Sequence, residues 1–264
     1  MNILNRLQLF FLKKTITPSE LMNFANRFNG IGIYGTEEET GEVYVLEDIV
    51  AKKYFNKNPI IFDVGANVGN YALLVKKYIP HAHVYAFEPN KKAYDQLVIA
   101  TTNTGVAIKN IGFGETIRTA DLYSFTSLAG TELGTSDPTV LSTLYGKDVH
   151  DSVEKISFEM DTLDHYCTTH DITHIHFLKI DVEGYEKNVL SGATDMLAKG
   201  AIDMIQFEFN NLNLEYHVRL KDFYTLLPNY SFFRITPHGT IALGPYTTAN
   251  EVFQYQNILA IKND

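Results

Sequence analysis

The stretch "IIFDVGANVGNYALLV", Ile60 to Val75, opens on a run of β-formers, passes an acid and a turn of small residues, and closes on an apolar helical pattern. Asp63 comes just before the turn, which contains Gly65, Ala66, Asn67 and Gly69, and Asn70 begins the helical pattern. Small residues let a backbone approach a ligand closely, and the helix that follows aims its free N–H groups at the same place. In an open α/β sheet, ligands bind beyond the carboxyl ends of the strands, so this turn is the first place to look for a site. The same residues would also make a tight strand–helix turn with no ligand at all.

From Pro59 onward, β-rich and helical runs alternate: "IIFDV", "GNYALLVKKYI", "HVYAFE", "NKKAYDQLVIATTN" and "VAIKNIGF". This alternation predicts right-handed βαβ units and a parallel sheet covered by helices. The rhythm breaks over residues 112–160, where glycines and Pro138 separate strand-like pieces such as "IRTADLYSF" and "VEKISFEM". Excursions of that length often serve as lids or binding loops. The rhythm returns with "HIHFLKID", a helix over "GYEKNVLSGATDMLAKG", "IDMIQFEF" and a helix near "EYHVRLKDFYTLL". The last strands read as antiparallel, with a turn at His238–Gly239. Ahead of the domain, residues 1–30 read as two helical pieces, the second starting on the cap signal of "TPSELMNFANRF". "IGIYGTEEETGEVYVLE" then reads as two short strands around a polar turn. The chain thus divides into an N-terminal helical and β-hairpin extension (1–55) and one α/β domain (56–264) carrying the excursion.

Of the 264 residues, 45% are hydrophobic and 20% charged, the composition of a globular chain. Twenty-two basic against 31 acidic residues, with no basic stripe, exclude a nucleic-acid backbone as the expected partner. One cysteine, Cys167, cannot form an intrachain disulfide, which fits a reducing, cytoplasmic setting. The start, "MNILNRLQLFFLKK", is too short to span a bilayer and lacks the pattern of a signal peptide, so it reads as a docking helix.

Glu88 ends the second strand, 19 residues after Gly69, followed by Pro89. An acid at that place is set to accept hydrogen bonds from two ribose hydroxyls. The dinucleotide fingerprint G-x-G-x-x-G is absent: Asn67 replaces its middle glycine and Gly69 comes four residues after Gly65. A carboxylate at Asp63 would repel a pyrophosphate but suits a ligand with an amine and a sulfonium. The residues therefore favour S-adenosylmethionine over NAD.

"FDVGANVGNYALL", "VYAFEPN", "TLDHY" and "HFLKIDVEGYEKNVLSGA" together resemble the FkbM family of S-adenosylmethionine-dependent methyltransferases, over roughly residues 40–262. The resemblance implies a Rossmann-like class I methyltransferase fold, α/β, with a seven-stranded mostly parallel sheet, an antiparallel last strand and helices on both faces. It also implies O-methylation of a hydroxyl on a sugar, glycan or related natural product. In that reading Asp63, Gly65, Ala66, Asn67, Gly69 and Asn70 line the methionine side, Glu88 and Pro89 hold the ribose side, and Asp181 sits near the transferred methyl. The rival readings are an NAD-dependent sugar-modifying enzyme and a non-catalytic nucleoside-binding subunit. The acceptor would be a small molecule or saccharide, with a homo-oligomer compatible with the sequence.

A second constellation lies in "HFLKIDVEGYE" and "MIQFEFNN". Lys179 and Asp181 share a strand face, as do Gln206, Glu208 and Asn210. If the two strands are neighbours, Lys179 and Glu208 form either a buried structural pair or part of a reacting centre. Glu183 reads as the opening of the next helix, favoured by its dipole. A hydroxyl nucleophile calls for a base, and Asp181, Glu208 and His217 are the candidates. Asp181, Glu208 and Asn210 would alternatively hold Mg²⁺ to acidify the hydroxyl. His174 and His176 lie at the other end of their strand and read as surface or packing residues.

Overall fold

The structure, a computed structural model, describes residues 16–125, 134–135, 140 and 153–263. The expected docking helix over residues 1–14 and most of the 126–152 loop lie outside the described residues. Among the described residues, twelve strands form two sheets. β1 (Ile60–Val64), β2 (His83–Phe87) and β3 (Ala107–Lys109) come first, followed by β4 (Gly112–Phe113), β5 (Arg118–Phe125) and β6 (Gly134–Thr135). Then come β7 (Val153–Asp161), β8 (Phe177–Ile180), β9 (Met204–Phe209), β10 (Tyr230–Thr236), β11 (Gly239–Ala242) and β12 (Gln256–Lys262).

The large sheet runs β11-β10-β12-β9-β8-β1-β2-β3. β3, β2, β1, β8 and β9 are mutually parallel, and β12 enters antiparallel between β9 and β10. This is the expected mostly parallel sheet, with the last strand of the chain antiparallel. It has eight strands instead of seven because β11 folds back on β10 across a two-residue turn, Pro237-His238. The excursion forms a second sheet, β4-β7-β5-β6, in which β5 and β7 pair antiparallel along their full length from Arg118↔Met160 to Phe125↔Val153.

β1, β8 and β9 are buried on both faces, which explains why they are mostly apolar, broken only by Asp63, Lys179, Gln206 and Glu208. Alternation sends Phe62, Val64, Leu178, Ile180, Ile205 and Phe207 into one core, and Ile61, Phe177, Met204 and Leu259 into the other. Asp63, Lys179 and Gln206 fall on the second face, in one row, because Asp63 pairs Lys179 and Lys179 pairs Gln206 in register.

The N-terminal extension departs from the expected hairpin. Residues 37–53 are helical, as Glu37–Thr40, Glu42–Tyr44, a π-helical turn Val45–Val50 and Ala51–Lys53. The cause is a capping box: Thr36 Oγ1 accepts the Glu39 N–H at 3.4 Å, while the Glu39 carboxylate accepts the Thr36 N–H at 2.9 Å. Gly41, at φ 89°, turns the chain between the first two helices. Val45, Leu46 and Val50 are fully buried in the core, and each contributes about 1.5–3 kcal/mol through burial. Val43, Tyr44 and Val45 are β-formers by type, but their apolar neighbours fall at helical spacing.

Candidate active site

The turn after β1 is stitched to the end of β2. Gly65 and Ala66 both donate their N–H to the Phe87 carbonyl, at 3.0 and 2.9 Å. Asn67 donates its N–H to Glu88 Oε2 at 2.9 Å, and Asn90 donates to Glu88 Oε1 at 2.7 Å. Burial pushes the Glu88 carboxyl up to about 7, against the pull of those two amides. Both glycines are also required by packing. A Cβ on Gly65 would lie 1.8 Å from the Asp181 carbonyl oxygen, and one on Gly69 would lie 2.7 Å from Leu97 Cδ1. Their φ angles, 84° and 96°, fall in the left-handed region as well. Ala66 is buried in the core, and Asn70 is the exposed first residue of helix Asn70–Tyr78.

Next to this turn, three carboxylates surround one ammonium. Lys179 is 6% exposed and donates to Asp181 Oδ2 at 2.8 Å; Glu42 Oε1 lies 3.9 Å from its Nζ. Burial would discharge Lys179, but Asp181, Glu42 and Asp63 outweigh it and hold the ammonium charged. Its Nζ also sits 4.7 Å from the centre of the Tyr71 ring. Burial raises the Asp63 carboxyl to about 6, opposed by Lys179 and reinforced by Asp181 and Glu42. Neither Asp63 oxygen has a well-formed hydrogen bond; the Ala72 amide exerts only the weakest pull on it. The Tyr71 hydroxyl, Gln206 Oε1 and Asn67 Oδ1 are buried and unpartnered too. Buried polar atoms without partners are costly unless something polar meets them, so their concentration beside one turn makes it a candidate binding site.

Glu42 is not among the sequence candidates. It comes from the extension, is 7% exposed, and accepts from Gln206 Nε2 at 2.7 Å and from Thr40 Oγ1 at 2.9 Å. The readable signal was the capping box of Thr36 and Glu39, which sets the helical turns that deliver it. Lys179 is not paired with Glu208: β8 and β9 are neighbours, but the register sets Lys179 opposite Gln206.

Glu208 instead hydrogen-bonds Asp181 side chain to side chain. Asn210 Nδ2 donates to Glu208 Oε1 at 2.6 Å. Burial alone would raise Asp181, but the charge of Lys179 and hydrogen bonds from Lys179 and Glu208 hold it below the usual carboxylate range. Burial, then the charges of Asp181, Glu183 and Glu186, push Glu208 well above it. The two environments thus pull the pair apart, favouring the protonated form of Glu208 and the charged form of Asp181, whose side chain is 37% exposed. This donor set does not fit Mg²⁺: an ammonium already holds Asp181, and Asn210 turns its N–H toward Glu208. Among the described residues no cluster of three or more His, Cys, Asp or Glu could hold a metal ion.

The turn after β8 is held by Glu186, 1% exposed, whose Oε1 accepts from the Val182 and Gly184 amides at 3.2 and 3.1 Å. Glu183 lies in that turn at φ 55°, ahead of the helix Glu186–Ser191, and does not open it. His217 is exposed and lies two residues past the end of helix Asn211–Glu215, at φ 55°; no hydrogen bond or ion pair joins its ring to Asp181 or Glu208. At the opposite edge of the sheet, His176 Nδ1 accepts the Ile60 N–H at 3.0 Å, a packing role as expected.

An apolar pocket of about 480 Å³, including its open mouth, lies over the tips of β1 and β2. Val64, Phe87 and Pro89 line it together with Phe113, Leu122 and Phe158 from the second sheet. Its apolar lining suits an apolar ring system near Glu88.

The sequence profile of the methyltransferase FkbM domain matches residues 63–256. A methyltransferase, sdnD, from Sordaria araneosa is 31% identical over 161 residues, 52% of this chain and 61% of that protein. The chain thus spans less than two thirds of that relative's length. The hexuronic acid methyltransferase AglP of Haloferax volcanii is 25% identical over 186 residues, 68% of this chain and 69% of that protein. Among solved structures, the plantazolicin methyltransferase BpumL, in complex with a triazolic desmethylPZN analogue and SAH, aligns at a TM-score of 0.47. That alignment has 10% identity and covers 94% of this chain and 92% of that one.

Proposed function

Because the chain belongs to the methyltransferase FkbM domain family, we propose that it moves a methyl group from S-adenosylmethionine to a hydroxyl of a sugar or glycan-like acceptor. The observation that carries this is the set of unpartnered buried polar atoms at the turn, Asp63 above all, between the apolar pocket and the Asp181–Glu208 pair. The pocket takes the adenine ring and Glu88 takes the ribose hydroxyls. Asp63 and Asn67 meet the charged methionine end, where a cation relieves the burial of Asp63.

The donor supplies an electrophilic sulfonium methyl. As the acceptor oxygen gains that methyl, the carbon–sulfur bond breaks with its electron pair left on sulfur. Asp181 takes the hydroxyl proton, since it is the ionised and exposed member of its pair. Glu208 and Lys179 hold Asp181 by hydrogen bonds from either side, and much of the rate comes from that alignment. A saccharide acceptor is supported by the likeness to a hexuronic acid methyltransferase.

The test is to incubate the protein with S-adenosylmethionine and a panel of hexuronides, neutral sugars and hydroxylated non-sugars. We expect S-adenosylhomocysteine release and a methyl ether on a sugar. Methylation at nitrogen or carbon, or of the non-sugars alone, would overturn the reading.

A further inference from the structure

Tyr34 is 69% exposed, although Ile31 and Ile33 just before it are buried and anchor its loop. The Gly32 N–H donates to the Tyr255 carbonyl at 2.8 Å, which fastens the loop beside the chain leading into β12. The Tyr34 ring then lies against the Tyr255 ring, with centroids 4.9 Å apart and planes at 40°. That contact seats the Tyr34 ring while most of it stays open to solvent.

Tyr255 leads from this ring to the acids. Its hydroxyl accepts from Asn257 Nδ2 at 3.3 Å. Asn257 stands directly opposite Glu208 in the β12–β9 register, so their side chains share a face. Glu208 in turn hydrogen-bonds Asp181. Burial raises the Tyr255 hydroxyl above its ordinary value, and the charges of Glu208, Glu42 and Asp181 raise it further, as fits a ring at the edge of that cluster. The N-terminal extension thus reaches the site twice, with Glu42 at Lys179 and with Tyr34 on the outer side of Tyr255.

A seated, open aromatic face beside a polar cluster suits a ligand with a flat C–H surface and hydroxyls at its rim. A pyranose ring is such a ligand: its C–H bonds turn their positive ends to the negative aromatic face, and its hydroxyls meet the polar groups. A wholly apolar acceptor would cover Asn257 and the acids without pairing them.

We propose that Tyr34, seated on Tyr255, is the platform on which the acceptor's sugar ring stacks while its hydroxyl reaches Asp181. The role of Asp181 rests on the methyl-transfer reading above, whereas the platform is tested without turnover. The experiment is saturation-transfer NMR of methyl glucoside and methyl glucuronide with the full chain in the presence of S-adenosylhomocysteine, followed by methyl-transfer kinetics with the sugar that binds. We expect saturation of the sugar ring protons. Tyr34→Ala should raise the sugar's Kd and KM at least tenfold while melting temperature and S-adenosylhomocysteine affinity stay unchanged. Tyr34→Phe keeps the ring and should match the parent. Equal sugar binding by Tyr34→Ala, or no sugar bound by the parent, would overturn the platform whatever the chain methylates. A sugar bound through Tyr34 but never methylated would uphold the platform and overturn the methyl-transfer reading instead.

Discussion

The Lys179 ammonium lies 2.8 Å from the Asp181 carboxylate and at the same time serves Glu42 and Asp63, so one buried cation organises three acids from three parts of the chain. Lys179→Met removes that cation and keeps the volume. Breaking a buried pair from one side costs about 3–5 kcal/mol, read from urea unfolding. Asp181 would also lose its main cause of ionisation, and the pH at which methyl transfer sets in should rise. A variant as stable as the parent would show that the acids do not depend on Lys179.

Glu88 ties its pocket to pH. Its carboxyl is raised to about 7 in the folded chain, so it holds a proton between its ordinary value and that pH. A raised acid favours the folded state most at low pH, and that contribution fades as pH climbs through about 7. Ribose hydroxyls need the carboxylate as acceptor, so S-adenosylhomocysteine should bind more weakly as pH falls below 7. Glu88→Ala should weaken that binding by about 1–3 kcal/mol and leave the Asn67 and Asn90 amides without their acceptor. Calorimetry at several pH values checks both, and a flat profile would remove Glu88 from the site.

Gly65→Ala should destabilise the chain by roughly 3 kcal/mol or more. The new Cβ meets a backbone oxygen at 1.8 Å, in a left-handed conformation as well. Gly69→Ala meets only the end of a leucine, Leu97, and should cost clearly less. Thermal unfolding of the two variants gives the order.

At the other edge of the sheet, Asp203 accepts from Tyr54 at 2.6 Å and pairs with His174 and Lys262 at 3.1 and 3.2 Å. Those partners hold its carboxyl at about 2 despite its burial. A depressed acid contributes above its ordinary value of 3.8, and the contribution is lost as pH falls through about 2. It is worth about 2 kcal/mol at neutral pH. Tyr54→Phe should shrink it and move the acid unfolding midpoint to higher pH.

The parallel sheet was legible because β1, β8 and β9 are buried on both faces and leave short, mostly apolar runs between helical periods. The turn and Glu88 were legible because their spacing follows from strand and helix lengths. The partner of Lys179 was not, since strand register decides between Gln206 and Glu208, and register is set by packing. Glu42 was hidden because Val43, Tyr44 and Val45 favour strands by type, while the Thr36 cap and the core behind Leu46 make them helical.

The central claim, a methyl-donor site at the turn after β1, is tested most directly by calorimetric titration of the full chain with S-adenosylhomocysteine and, separately, NAD. The account predicts one S-adenosylhomocysteine per chain, lost in Asp63→Ala, and no heat from NAD. Binding of NAD with none of S-adenosylhomocysteine would contradict it.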